Sequence, residues 1–288
     1  MVNTFSFVAS HARKYDFDRF LCSIFSPDEK RKGLFAILAF NVEISKTREM
    51  VSDGLLGEIR LQWWRDTIEL IYSNSKSIHT DFSVVVELNS AIKKFNLSRT
   101  LFDQLIDARS RDLFDSSFED ESKLYEYMHG TSATICMLFL EVLCPTTCLV
   151  SHDRIEAAKS IGIAWALTGN IRASNVLAKQ KRIYIPKTLI KEYCLNEVDF
   201  YSRNTTYEIK QVVSYIVNLA RNEIMRAKNL LRDKVDRGYL GLLLQAGLAE
   251  IYLNKIEVLG FDPFSDKIEV GRVRKQLHIA FMALRGSF

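Results

Sequence analysis

The sequence predicts an all-α fold on the strength of three observations. The 288-residue chain contains only 4 prolines and 12 glycines, few for its length. Segments with apolar residues at helical spacing outnumber segments in which apolar and polar residues alternate. Hydrophobic residues make up 48% of the chain, enough for a sizeable buried core. Because no short repeat or linker interrupts residues 1–288, we expect a single domain of roughly eight to ten helices.

Composition excludes several classes of protein. The net charge of +4 is spread along the chain, which does not fit the clustered basic footprint of a nucleic-acid-binding protein. The opening stretch lacks the charged and then apolar pattern of a signal peptide, so we do not expect secretion. The cysteines are odd in number and lack paired spacing, which predicts reduced, buried thiols in a cytosolic or matrix-like compartment. They are Cys22, Cys136, Cys144, Cys148 and Cys194.

The stretch "SPDEKRKGLFAILAFNVEISKTREMV" predicts the first long helix. Ser26 is the expected N-cap, Pro27 the first helical residue, and Glu29 stands where a capping box needs it. Asp53 and Gly54 are expected to end this helix. In the helix that follows, the candidates for the buried face are Ile59, Trp63, Ile68 and Ile71.

The middle of the chain predicts further helices separated by polar loops. A loop is expected from Ser73 to Asp81, and then a helix over "FSVVVELNSAIKKF" despite its β-like valines. Asn96 and Ser98 are expected to cap "RTLFDQLIDARSRDLF". Residues 131–150 are long enough to cross a membrane but include Glu141 and Pro145. We therefore interpret that stretch as a core helix.

The last part of the chain predicts long helices. Residues 155–171 are rich in small side chains, which permits close helix packing or leaves room for a ligand. The longest amphipathic segment follows, then a helix over 238–259 and a final helix after "GFDPF". The apolar stripe of the amphipathic segment is predicted to comprise Ile209, Val212, Val213, Ile216, Leu219 and Ala220.

Two acidic residues at helical spacing are candidates for a metal site. Asp103 and Asp107 lie four residues apart, which places both on one helix face. Mg²⁺ prefers such oxygen ligands and bridges them to substrate phosphates. The alternative is a solvated face with Asp107 paired to Arg111. Glu49 and Asp53 have the same spacing, although Asp53 is also placed to cap the next helix.

A basic cluster without any acid occupies residues 172–191. It could form an anion-binding surface, contact anionic lipid headgroups, or be a solvated helix end, where cations are favoured. Its six cations are Arg172, Lys179, Lys181, Arg182, Lys187 and Lys191.

Several segments together resemble the squalene/phytoene synthase family. "LFAILAFNVEISKTRE", "GEIRLQWWRDTIE", "LIDARSRDL", "YMHGTSA", "AWALTGNIRASNVLAKQKRIYIP" and "GFDPF" occur in the order and spacing of that family. The resemblance implies an isoprenoid-synthase-like helical bundle around a central cavity. In active members, two Asp-rich motifs bind Mg²⁺ and the diphosphates of two prenyl substrates that are joined head to head.

The resemblance also implies that both metal-binding motifs are degenerate here. The first motif falls on residues 45–49, where Ser45 and Glu49 stand, and the second falls on Ala173 and Leu177. Only Glu49 remains as a possible ligand at these positions.

Other family positions are retained. Arg172, Arg182, Tyr184 and Pro186 match the family's "R…RIYLP" pattern, and Asp107 and Asp112 match its "IDGxxxDL" segment. The basic cluster is thus interpreted as the remnant of a diphosphate-facing surface. Its predicted anion-binding residues are Arg172, Lys179, Lys181, Arg182 and Tyr184.

Within the family, "AFNVE" and "EIRLQWWRDTIE" resemble the branch that contains the mitochondrial complex I assembly factor and its bacterial relatives. That resemblance implies a non-catalytic protein without a cofactor. It would act with complex I subunits or assembly proteins at the membrane surface, in the cytoplasm or on the matrix side, without a transmembrane helix.

Two alternatives remain open. The first is an active prenyl transferase in which Glu49, Asp103 and Asp107 hold Mg²⁺. The second is a protein that binds a prenyl lipid without reacting with it.

Overall fold

The structure is a computed structural model that describes residues 6–51, 53–73, 80–114, 117–144, 150–231 and 237–286. The regular elements of these residues are helices. These residues form fifteen α-helices and no β-strand, which confirms the all-α prediction. The first seven are α1 (Phe7–Tyr15), α2 (Phe17–Ser23), α3 (Asp28–Ser45), α4 (Thr47–Met50), α5 (Gly54–Tyr72), α6 (Ser83–Phe95) and α7 (Arg99–Ser110). The others are α8 (Glu121–Met128), α9 (Thr134–Leu143), α10 (His152–Lys179), α11 (Lys187–Glu192), α12 (Glu197–Tyr201), α13 (Tyr207–Leu231), α14 (Leu240–Val258) and α15 (Arg272–Arg285). Short 3-10 helices cover Arg111–Leu113, Arg237–Tyr239 and Asp266–Ile268, and a π-helix covers His129–Ala133.

The start and end of α3 differ from the prediction. Pro27, with φ −51° and ψ 141°, is the capping residue rather than the first helical one, so Ser26 is not the N-cap. The helix ends at Ser45, because Lys46 forms a turn before the short α4 begins. Asp53 does cap α5, accepting a hydrogen bond from the backbone N–H of Leu55.

The predicted buried face of α5 is half correct. Ile68 and Ile71 are buried, whereas Ile59 and Trp63 are 59% and 46% exposed. The helix is rotated so that Trp64 enters the core instead, with its ring edge-on to Phe40 at 5.0 Å between centroids. The residues of α5 that are buried are Gly57, Leu61, Trp64, Thr67, Ile68 and Ile71.

The caps predicted between α6 and α7 act differently. Asn96 adopts the left-handed conformation, with φ 51°, and ends α6. Ser98 does not cap α7 with its side chain. Its N–H and hydroxyl donate instead to the Glu141 carboxylate on α9. Glu141 thus has local partners within an otherwise apolar helix.

The predicted core helix over residues 131–150 is α9, eight of whose ten residues are buried. Pro145 and Cys148 lie outside the described residues, as do residues 74–79 of the predicted loop. No described helix is both long enough and apolar enough to cross a bilayer. Of the remaining cysteines, Cys194 is exposed, against the prediction, and the other three are buried, as predicted.

Helix α10 is the central packing element of the bundle. It packs most extensively against α13 and also contacts α9, α14 and the π-helix. Gly162 of α10 makes the π-helix contact possible, because a Cβ there would lie 2.4 Å from the Cα of Ala133. In the predicted α13 stripe, only Leu219 is half-buried. The fully buried members are Ile209, Val212, Val213, Ile216 and Ala220.

Candidate functional site

A cavity of about 710 Å³, the main cavity, opens between the C-terminal half of α10, the junction of α3 with α4, and the end of α7. Both predicted motif positions line it, with Ser45 and Glu49 from α3 and α4, and Ala173 and Leu177 from α10. The fold therefore brings together two segments that are far apart in the chain. The other lining residues are Arg48, Val51, Arg109, Asp112, Tyr127, Asn170, Val176, Gln180, Arg182 and Tyr184.

Asp112 is the centre of a hydrogen-bonded cluster in the cavity wall. Its Oδ1 accepts hydrogen bonds from the hydroxyls of Tyr127, at 2.7 Å, and Tyr184, at 2.9 Å. Its Oδ2 accepts one from Nη1 of Arg109 at 3.0 Å. Burial raises the pKa of both tyrosines, and the Asp112 charge raises it further, so both remain phenols that donate. Three protein donors already occupy this carboxylate.

Arg182 reaches the main cavity because of the way α10 ends. The N–H of Lys181 donates to the carbonyl of Ala178, and the N–H of Arg182 donates to that of Leu177, which is the Schellman pattern. Lys181 takes the left-handed conformation that this turn needs, with φ 53°. The Arg182 guanidinium then donates to the Tyr184 hydroxyl at 2.9 Å.

The predicted anion-binding cations are not brought together. Lys179 and Lys181 are exposed and do not line the main cavity, whereas Arg182 does. Arg172 lines a separate cavity of about 540 Å³. There its guanidinium pairs with Asp18 at 3.3 Å and Glu269 at 2.8 Å. The interpretation of Arg172 and Arg182 as one cluster is corrected, because α10 directs Arg172 away from the main cavity.

Arg172 belongs to a set of ionic and polar side chains that we call the charged network, formed by Asp18, Arg172, Tyr252, Glu269 and Lys275. The Lys275 ammonium donates to Asp18 at 2.5 Å and to the Tyr252 hydroxyl at 3.0 Å. That hydroxyl donates to the other Asp18 oxygen at 2.7 Å. Asp18 and Lys275 are each only 6% exposed. Two cations and two carboxylates thus neutralise one another, with Glu269 at the exposed edge of the network.

The three predicted metal ligands lie apart. Asp103 pairs with Arg99 at 3.3 Å, and Asp107 pairs with Arg65 at 2.9 Å. Both aspartates are outside the main cavity, which Glu49 lines. The alternative pairing of Asp107 with Arg111 is not formed either, because the Arg111 side chain donates to the carbonyl of Ser117.

The oxygen donors of the main cavity do not fit a magnesium site that would hold a diphosphate. Among the lining residues that the structure describes, the carboxylates are Glu49 and Asp112, and Asp112 is already bound by three donors. No group of three or more His, Cys, Asp or Glu side chains could hold a metal in the part of the chain that the structure describes. Mg²⁺ prefers near-octahedral oxygen coordination and usually binds through carboxylates together with substrate phosphates.

Sequence reasoning missed five polar residues of the cavity wall, which are Arg48, Arg109, Tyr127, Asn170 and Gln180. Arg109 lies three residues before Asp112, a helical spacing typical of an ion pair. Asn170 lies three residues before Ala173 and so shares its helix face. Those spacings could have predicted both positions. For Arg48 and Tyr127, no signal in the sequence distinguishes a cavity position from a surface one.

The apolar interior next to the main cavity is almost filled. A space of about 20 Å³ is lined by residues that include Leu167, Val213 and Ile216. Asn170, Leu177 and Tyr184 line this space and the main cavity alike. A volume of that size holds about one water molecule. It is too small for a prenyl chain.

The all-α bundle with a polar cavity between its helices has the isoprenoid-synthase-like fold, as two solved structures show. The chain belongs to the squalene/phytoene synthase family, whose pattern matches residues 12–278. It is 26% identical over 276 residues to NADH dehydrogenase (ubiquinone) complex I, assembly factor 6, from Homo sapiens, covering 96% of this chain and 80% of that protein.

Two solved structures share the fold. The squalene synthase of Alicyclobacillus acidocaldarius superimposes with a TM-score of 0.77 at 18% identity, covering 89% of this chain and 94% of that one. A dehydrosqualene synthase in complex with a ligand gives a TM-score of 0.81 at 16% identity, covering 97% and 95% of the two chains.

Proposed function

We propose that this chain does not condense prenyl diphosphates and acts instead in the assembly of respiratory complex I at a membrane surface. The main cavity carries the first half of this proposal. The wall in which the family places its two Asp-rich motifs presents Ser45 and Glu49 on one side and Ala173 and Leu177 on the other. A single carboxylate at these four positions is a poor basis for a metal cluster.

The chemistry of diphosphate ionisation supports this interpretation. Negative charge develops on the leaving diphosphate, and metal ions supply much of its stabilisation in such reactions. Removing even one preorganised electrostatic contact from an active site typically lowers kcat by roughly 10²–10³-fold. Without carboxylates for Mg²⁺, only cations such as Arg182 would face that charge.

The filled interior supports a non-catalytic role in a second way. A condensing enzyme must enclose the apolar tails of its substrates, and a prenyl-lipid carrier must enclose one. The space beside Leu167 and Val213 is about 20 Å³. Neither alternative function has room for its ligand there.

The assembly role rests on similarity to proteins named for it. The human protein that is similar over 96% of this chain is named a complex I assembly factor. By this proposal, the partners of the chain are complex I subunits or other assembly proteins. The proposal places it in the cytoplasm or on the matrix side of a mitochondrial membrane, peripheral to the bilayer.

The catalytic half of the proposal is tested by pyrophosphate release. The purified chain is incubated with farnesyl or geranylgeranyl diphosphate and excess Mg²⁺, beside the squalene synthase of Alicyclobacillus acidocaldarius as an active control. We expect release from the control only. Turnover by this chain that Glu49→Gln abolishes would overturn the proposal.

The assembly half is tested by deleting the gene and measuring the amount of assembled NADH:quinone oxidoreductase in membranes. We expect less assembled complex in the deletion strain, and full recovery with either the unsubstituted chain or the Glu49→Gln variant. A normal amount of complex after deletion would exclude an assembly role. Recovery with the unsubstituted chain but not with Glu49→Gln would indicate that the phenotype depends on catalysis.

A further inference from the structure

Helix α15 has a second apolar face that the protein core does not use. Its buried face includes Ile279 and Met282, which pack toward α14. Gly247 of α14 admits Met282, since a Cβ at Gly247 would lie 1.9 Å from the methionine methyl. The exposed apolar residues are Val273 at 68%, Leu277 at 68%, Phe281 at 50% and Leu284 at 79%.

The four exposed residues form one continuous stripe. Their spacings of four, four and three residues place them within an arc of about 80° around a helix of 3.6 residues per turn. Ile279 and Met282 fall on the opposite side of the same helix. Core packing therefore explains one face of α15 and leaves the other unexplained.

Positive charge flanks this stripe. Residues 271–285 contain no Asp or Glu, and Arg272, Arg274 and Arg285 are exposed. The Arg285 guanidinium lies 4.1 Å from the Phe281 ring centroid, which places a cation directly beside the stripe. This pairing of an apolar face with arginines fits the boundary between the headgroups and acyl chains of an anionic bilayer.

The exposed apolar residues of α5 make a useful contrast. Leu56, Ile59 and Trp63 are also exposed, but Glu58, Asp66 and Glu69 lie on the same helix with Arg60 and Arg65. The charges of α5 are therefore mixed. An anionic surface is complementary to α15 and not to α5.

Helix α15 is also held firmly enough to present its stripe. Lys275, on the buried side, is tied to Asp18 of α2 and to Tyr252 of α14. Both contacts are buried. The stripe can thus meet a membrane while the helix stays attached to the bundle.

We propose that α15 is a membrane-binding surface, which inserts Val273, Leu277, Phe281 and Leu284 into the interface of a bilayer that contains anionic lipid. Arg272, Arg274 and Arg285 contact the lipid phosphates. This inference goes beyond the assembly role and does not depend on it, because it rests on the exposed face of α15 alone.

The test is flotation of the full chain with vesicles of phosphatidylcholine and phosphatidylglycerol in equal parts, beside vesicles of phosphatidylcholine alone. We expect binding to the anionic vesicles that weakens as salt is added. Leu277→Gln with Phe281→Gln, and separately Arg272→Gln with Arg274→Gln, should each lower the apparent affinity roughly tenfold or more.

The matched control is Leu56→Gln with Ile59→Gln, which removes a similar exposed apolar area from α5 and should leave binding unchanged. All substituted side chains are exposed, and circular dichroism verifies that each variant keeps its helices. The proposal is overturned if the unsubstituted chain fails to bind, or if it binds both vesicle types equally. Equal loss in the α5 variant would also overturn it. The proposal is also overturned if the α15 variants bind vesicles as well as the unsubstituted chain does. If those variants change only the oligomeric state, the partner of α15 is a second copy of the chain and not a membrane.

Discussion

The main cavity and the charged network lie on different faces of the same helix and use charge in opposite ways. Toward the main cavity, α10 presents the neutral Ala173 and Leu177. Toward the charged network it presents Arg172, whose charge is neutralised by Asp18 and Glu269. The main cavity has arginines in a wall that is open to solvent, whereas the charged network pairs its cations with carboxylates.

The difference shows that a basic stretch in a sequence does not by itself identify a binding site. A basic stretch can bind an anion only where carboxylates of the protein do not already neutralise its cations. Arg172 has two carboxylate partners, so little of its charge is left for a ligand. Arg182 lines the main cavity, where it donates to the Tyr184 hydroxyl and to the backbone carbonyl of Asp112.

The largest effect should come from Asp18→Leu. This change leaves Lys275 and Arg172 buried without the carboxylate they share. We expect the free energy of unfolding in urea to fall by about 3–5 kcal/mol. Asp107→Asn, which removes an exposed ion pair, should change it by less than about 1 kcal/mol. Similar values for the two variants would mean that the network is not a buried ionic core.

A smaller effect distinguishes the two arginines. Arg172→Ala should lower the free energy of unfolding by about 2–3 kcal/mol, because it breaks hydrogen bonds between charged groups in a largely buried site. Arg182→Ala should lower it by about 1 kcal/mol, since the Tyr184 hydroxyl and the Asp112 carbonyl border the open main cavity, where water can replace the guanidinium. The check is urea denaturation of both variants side by side. A larger loss for Arg182 would reverse the structural roles assigned to the two residues.

Placing acids at the family's motif positions in the main cavity should create a metal site. We expect the variant Ser45→Asp, Ala173→Asp and Leu177→Asp, with Glu49 kept, to be stabilised by about 1 kcal/mol when Mg²⁺ is present at several times its dissociation constant. The measurement is the difference in unfolding free energy between Mg²⁺ and chelator. The matched variant carries Asn at the same three positions and should show no difference. Equal stabilisation of the unsubstituted chain would show that its own donors suffice.

The smallest expected effect is a pH dependence of stability that arises from His11 and His278, which lie outside the main cavity and the charged network. Burial lowers the pKa of His11 and of His278 below the usual range. The unfolded chain therefore binds more protons, and stability should fall as the pH drops from about 7 to about 5.5. His11→Gln should flatten part of this dependence in thermal unfolding. An unchanged profile would show that His11 does not contribute.

The sequence predicts helices better than it predicts their faces. The sequence correctly predicts a helix at α6 despite its three valines, because the length of the segment and the flanking loop signals favour a helix. On α5, however, Ile59 and Trp63 are apolar yet exposed. Periodicity shows which residues share a face, but only packing against Phe40 and its neighbours decides which face is buried.

The candidate site was predictable in part. The resemblance placed Ser45, Glu49, Ala173 and Leu177 at one site, and all four line the main cavity. The charged network could not be foreseen, because Asp18 and Lys275 are 257 residues apart in the chain. Contacts over that distance depend on how helices meet, which no local pattern encodes.

The close contact of Gly162 with the π-helix has an evolutionary consequence. A side chain at Gly162 would collide with the backbone of Ala133 and Ser132, so the position of α10 is fixed by shape rather than by chemistry. Residues further along α10, such as Ala173 and Leu177, carry no such constraint on the backbone. A lineage can therefore exchange the side chains of the cavity wall while natural selection preserves the scaffold.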